Sequence, residues 1–99
     1  MITTEEDMEK DIEAKLVREI KKIGGRAYKF ISPGTRGVPD RIVILPGGKI
    51  IFVELKTEVG RLTALQRAQR RILQRLGCDV RAVHGEEDVE AFLEEVMPK

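Results

Sequence analysis

Residues 42–45 read Ile-Val-Ile-Leu and residues 50–53 read Ile-Ile-Phe-Val, two unbroken apolar runs separated only by Pro46, Gly47, Gly48 and Lys49. A chain can bury such runs in few ways. β-Branched residues dominate both, which suits a pleated backbone. Apolarity without alternation means that both faces of each strand are covered, as in the central strands of an α/β layer. The Pro-Gly-Gly turn joins them, so the stretch predicts a β-hairpin in the middle of a sheet.

Charges stand at its open end: Asp40 precedes the first run, and Glu54 and Lys56 close the second around Leu55. If Pro46, Gly47 and Gly48 form a three-residue loop, Leu45 faces Lys49, and counting outward sets Asp40 opposite Glu54. A two-residue loop at Gly47-Gly48 shifts the register by one and sets Asp40 opposite Leu55 instead. Side chains alternate across a strand, so Glu54 and Lys56 share a face. Two carboxylates side by side at the margin of a core are destabilising unless something compensates. A hard divalent cation would do so, since Mg²⁺ takes carboxylate oxygens plus waters, activates a bound water and neutralises charge on a phosphate. Lys56 could then hold the attacking water or stabilise the transition state. The simpler account is an ion pair at a strand end.

The rest of the chain alternates helical and extended patterns. Met8, Ile12, Leu16, Ile20 and Ile23 recur at helical spacing and predict a helix from Thr4 to Ile23, stopped by Gly24-Gly25. Glu13 lies beside that stripe, with Lys10 or Arg18 as an ordinary ion-pair partner. Residues 26–31 predict a short strand, and the Pro- and Gly-rich loop 32–39 delivers the chain to Asp40. That loop is either a simple connector or a close approach for a phosphate chain, with Arg36 as a backbone contact. Thr63-Ala64-Leu65-Gln66 is a capping box opening a helix from Thr63 to Leu76. Its expected inward residues are Leu65, Ala68, Ile72, Leu73 and Leu76, leaving Arg67, Arg70, Arg71 and Arg75 outward. Gly77 ends it, residues 79–84 predict a last strand, and residues 87–96 a final helix with Val89, Phe92, Leu93 and Val96 inward.

The run Lys29 to Lys56, containing Pro39-Asp40 and Glu54-Leu55-Lys56, followed by residues 60–80 with Gln66, resembles the VRR-NUC family of PD-(D/E)XK nucleases, in its short stand-alone form found in phages and bacteria. The resemblance covers the chain from about Glu9 to the final helix. It implies a restriction-endonuclease-like α/β fold, a mixed β-sheet flanked by helices in the order α-β-β-β-α-β-α, over one domain spanning residues 1–99. It implies Mg²⁺ or Mn²⁺ held by Asp40, Glu54 and the Leu55 carbonyl, with Glu13, or Glu9 one turn earlier, contributing from the first helix. Lys56 would assist the nucleophile and Gln66 would lie at the same centre. Stand-alone members resemble four-way-junction resolvases in size and organisation. Two symmetric cuts then call for a homodimer, since one small domain carries one such centre.

Overall charge does not advertise a DNA partner, with 18 basic against 17 acidic residues. Distribution is more telling: residues 61–75 hold Arg61, Arg67, Arg70, Arg71 and Arg75 and no acid, whereas residues 85–96 hold six acids and no base. The arginines are either a solvated face or phosphate contacts that position DNA without reading its sequence. No apolar run approaches a membrane span, and the single cysteine, Cys78, makes no intrachain disulfide, so a reducing cytoplasm, that of the bacterial host for a phage protein, is the default. The expectation is therefore a metal-dependent DNA endonuclease, acting on branched DNA in recombination or repair. The alternatives are a flap or duplex nuclease of the same chemistry and a DNA-binding module that does not cut.

Overall fold

The computed structural model describes residues 4–98. Its elements are α1 (Glu5–Lys22), β1 (Arg26–Lys29), β2 (Arg41–Ile44), β3 (Ile50–Lys56), α2 (Ala64–Arg75), β4 (Asp79–His84) and α3 (Gly85–Val96). This is the expected order. The Thr4 hydroxyl caps α1 by accepting from the Asp7 amide at 3.1 Å, and acids in its first turn with lysines in its last complement the helix dipole.

The strands form one sheet in the order β1-β2-β3-β4. The first three are antiparallel, and α2 carries the chain across to lay β4 parallel to β3. The Leu45 amide donates to the Lys49 carbonyl at 2.8 Å, and the Gly48 amide donates back to Leu45 at 2.9 Å. The hairpin loop is therefore Pro46-Gly47-Gly48, and Arg41 pairs with Val53 as that loop length requires. β1 stops at Lys29, two residues before the expected end, because β2 begins only at Arg41. Phe30 still donates to the Asp40 carbonyl at 2.8 Å, but Ile31 is exposed.

One face of the sheet buries the main core. Val43, Ile51, Val53, Leu55 and Val83 pack there against Ile12, Leu16 and Ile20 of α1 and Val89, Phe92 and Leu93 of α3. Met8, expected in the same stripe, is 41% exposed and borders a surface groove with Val59 and Gly85, because the first turns of α1 run past the strands. α3 begins at Gly85, two residues early, and its acids are partly neutralised: Lys15 of α1 pairs with Glu86 and Glu90, and Arg81 with Glu95.

The opposite face carries α2 alone, and here the structure corrects the sequence. Leu65, Ile72 and Leu76, expected inward, are 51%, 45% and 75% exposed, while Ala68 and Leu73 are only partly covered. Arg70, expected outward, is partly covered and its Nε is buried. The helix docks on β4 by the edge that carries Gln66, Arg70 and Leu73, about a third of a turn away from its apolar stripe. Periodicity found the stripe correctly, but the polar strand ends around Glu54 selected a different edge for contact. Among the described residues, no helix is long and apolar enough to cross a membrane.

Candidate active site

Asp40 is the residue before β2, and continuing the β2–β3 register by one rung sets it opposite Glu54. Its backbone carbonyl is taken by Phe30, and its carboxylate Oδ1 accepts from the Leu55 amide at 3.2 Å. The side chain is thereby turned onto β3. Glu54 is 8% exposed, one of two buried polar residues among those described, the other being Thr57. It accepts from Gln66 Nε2 at 3.2 Å and lies 3.9 Å from Lys56 Nζ. Both the ion pair and the carboxylate pair anticipated from the strand pattern are present.

Burial governs the electrostatics. Loss of hydration pushes Asp40 up to about 6, reinforced by the charge of Glu13 and opposed by the Leu55 amide. Loss of hydration, with the charge of Asp40 added, pushes Glu54 up to about 7 against the pull of Lys56. One lysine does not offset two dehydrated carboxylates. The donor set around the pair is oxygen alone, which suits a hard cation better than a soft one.

The first helix passes along the open end of the pair with Glu5, Glu9 and Glu13 at four-residue spacing. Glu5 accepts from the Thr57 hydroxyl at 2.8 Å, and the charge of Glu9 reaches Glu54. Glu13 pairs with Arg41, whereas Lys10 and Arg18, its expected partners, pair with Glu6 and Glu19. Among the described residues no three acidic, histidine or cysteine side chains already converge as a metal cage. Asp40 and Glu54 are brought together; Glu13 stays on Arg41.

Gln66 completes the capping box its position suggested and also reaches Glu54. Its Oε1 accepts from the Thr63 amide at 2.9 Å, completing the capping box, while its Nε2 holds Glu54. Gly37 locks the preceding loop against this turn. Its φ is +91°, and a β-carbon there would lie 2.5 Å from the Leu65 carbonyl oxygen. Arg36 is exposed on that loop. Arg61 and Arg67 share a cleft with His84 on the β4 side of α2, and Arg71 and Arg75 are exposed on the helix. Arg70 instead lines a cleft with Glu54 and Gln66. The His84 side chain makes no cap hydrogen bond, and Cys78 is half-buried where α2 gives way to β4. Sequence reasoning missed Arg41 and Thr57, which anchor α1 to the site; Arg41 stands directly before an apolar run, which was an available signal, whereas Thr57 lies between Lys56 and Glu58 with nothing local to mark it.

A mixed sheet with Pro-Asp and Glu-Leu-Lys acids meeting on neighbouring strands defines a restriction-endonuclease-like nuclease fold. The chain belongs to the VRR-NUC family: the profile of the VRR-NUC domain matches residues 3–87. It is 56% identical over 72 residues, covering 73% of this chain and 77% of the relative, to a protein called "Putative nuclease p44" from Acyrthosiphon pisum secondary endosymbiont phage 1. A solved structure described as a VRR_NUC domain superposes with a TM-score of 0.82 at 28% identity, covering 88% of this chain and 95% of that one.

Proposed function

We propose that this nuclease is a divalent-metal-dependent DNA endonuclease selective for branched DNA, four-way junctions foremost, and that it works as a homodimer. The observation that carries the chemistry is the Asp40–Glu54 pair, two dehydrated carboxylates with Lys56 beside them. The residues fit Mg²⁺ or Mn²⁺: Asp40, Glu54 and the Leu55 carbonyl would hold it, with Glu9 completing the set more readily than Glu13, which Arg41 already engages. When bound, the ion supplies Lewis-acid stabilisation of charge on the scissile phosphate and a lowered water pKa.

The chain's own groups do the positioning. Lys56 Nζ, on the same strand face as Glu54, orients the attacking water and compensates the oxyanion; water adds to phosphorus and gives up its proton to bulk solvent, the P–O ester bond breaks, and the alkoxide leaving group takes a proton from solvent water. Gln66 keeps Glu54 in place. Arg36, Arg61, Arg67 and Arg71 contact backbone phosphates around the centre. The likeness to stand-alone members and the need for two symmetric cuts support the dimer and the junction.

The test is cleavage of a labelled four-way junction and a matched linear duplex with Mg²⁺, Mn²⁺ or EDTA, by the native protein and Lys56→Ala together. Paired metal-dependent nicks in the junction alone, lost in Lys56→Ala, are expected. Equal cutting of duplex would replace junction selectivity with general nuclease action. Binding with no cutting under either metal would overturn catalysis by this chain.

A further inference from the structure

The face that α2 leaves open has a definite composition. Tyr28, Ile42, Phe52 and Val80 are successive cross-strand partners, one row across all four strands pointing away from the main core. Exposure rises along it, from 5% at Val80 beneath α2 to 56% at Tyr28, so the helix covers only the β4 end. Phe30 packs on Phe52 with ring centroids 5.8 Å apart, and Ile50, 49% exposed, begins the next row. The stripe on α2 overlooks this row. Arg67 shares a cleft with His84 of β4, whereas the Leu65 carbonyl meets Gly37 in the loop that leads into β2, so Leu65, Ile72 and Leu76 lie on the flank of the helix away from Arg67, on the side of that loop. Helix flank and strand row make one apolar corner.

We propose that this corner is where a second copy of the chain docks; the inference rests on the dimeric reading above and supplies its surface. A large aliphatic side chain carries about 100 Å² of apolar area and an aromatic up to about 200 Å². The exposed parts of these residues therefore offer on the order of 400 Å², within the roughly 300–600 Å² of a monomer's largest apolar patch, which is often functional. A standard interface takes about 800 Å² from each partner, a little over half of it non-polar. The corner thus meets the apolar requirement of one such interface. Two-fold pairing lays the α2 stripe of each copy along the open strand row of the other and leaves Arg67 on the outer flank, clear of the contact. It also adjoins the carboxylate pair, because Leu65 precedes Gln66, so two centres would face one substrate.

Tyr28 is the only tyrosine and the chain has no tryptophan, so intrinsic fluorescence reports this corner alone. Mass by sedimentation equilibrium and acrylamide quenching of Tyr28 are measured across a dilution series. Ile72→Asp and Leu76→Asp, both exposed enough to fold, are compared with Val59→Asp on the loop after β3 as a control, with circular dichroism verifying each fold. The expected result is a native dimer with protected Tyr28, a dissociation constant raised at least about 30-fold in the two corner variants, the scale of one lost hot spot, and no change in the control. A native dimer that persists in both corner variants would overturn this surface while leaving the dimer standing. A monomer at every concentration, with and without junction DNA, would overturn both. Tyr28 protected only when junction is added, with one chain per junction, would give the corner to DNA instead.

Discussion

Replacing Glu54 by Gln should make the metal-free protein more stable at neutral pH. Folded Glu54 holds its proton to about pH 7, whereas the unfolded residue releases it near 4.5. Between those values the folded state binds more protons, so stability is fully present below about pH 4.5 and falls as pH rises through 7. A pKa unit corresponds to about 1.4 kcal/mol, so the shift corresponds to on the order of 3 kcal/mol. In a domain of this size that is at least about 10 °C in melting temperature. Asp40, raised from 3.8 to about 6, adds a fall of the same sign at lower pH. Urea denaturation in EDTA from pH 4 to 8.5 reads both. The native protein should lose stability from about pH 4 to about 7.5 and be flat above that; Glu54→Gln should retain only the Asp40 portion and be flat above about pH 6.5. Millimolar Mg²⁺ at pH 8 should restore the native protein and leave the variant unmoved. A native profile flat from pH 5 to 8, or two parallel profiles, would refute the buried-pair electrostatics.

Three further outcomes follow from the same geometry. Thr63→Ala and Gln66→Ala should each cost about 1 kcal/mol through the lost cap, but only Gln66→Ala should also change metal affinity, read by calorimetric titration. Gly37→Ala places a β-carbon against the Leu65 carbonyl at a left-handed φ. It should destabilise by about 2 kcal/mol or more, and a melting curve matching the native one would show that the loop is free of α2. Arg67→Ala and Arg71→Ala should weaken junction and duplex binding equally, each reducing the slope of log affinity against log salt by about 1.

The hairpin was legible from its two unbroken apolar runs, but its register was not: a three-residue and a two-residue loop both suit Pro46-Gly47-Gly48, and only the Leu45 to Lys49 hydrogen bond selects the former. Asp40 opposite Glu54 followed from counting rungs on the three-residue alternative, and the capping box located Gln66. The attachment of Glu13 was not legible: its partner Arg41 is 28 residues away, and no local spacing ranks that pair above Lys10 or Arg18. The docking edge of α2 was missed for a different reason. An amphipathic pattern shows which side a helix would bury if an apolar surface met it, but the surface it met is the charged end of β3, so Gln66 and Arg70 went inward and Leu65 and Ile72 stayed out.

Gln66 gives the fold an interlock. The same amide side chain that closes the first turn of α2 also restrains Glu54 on β3, so the helix start and the acid pair are tied to one another. A partly folded chain, with its hairpin made but α2 not yet docked, would carry Asp40 and Glu54 without that restraint. The acid pair would then reach its final geometry only with the completed crossover to β4.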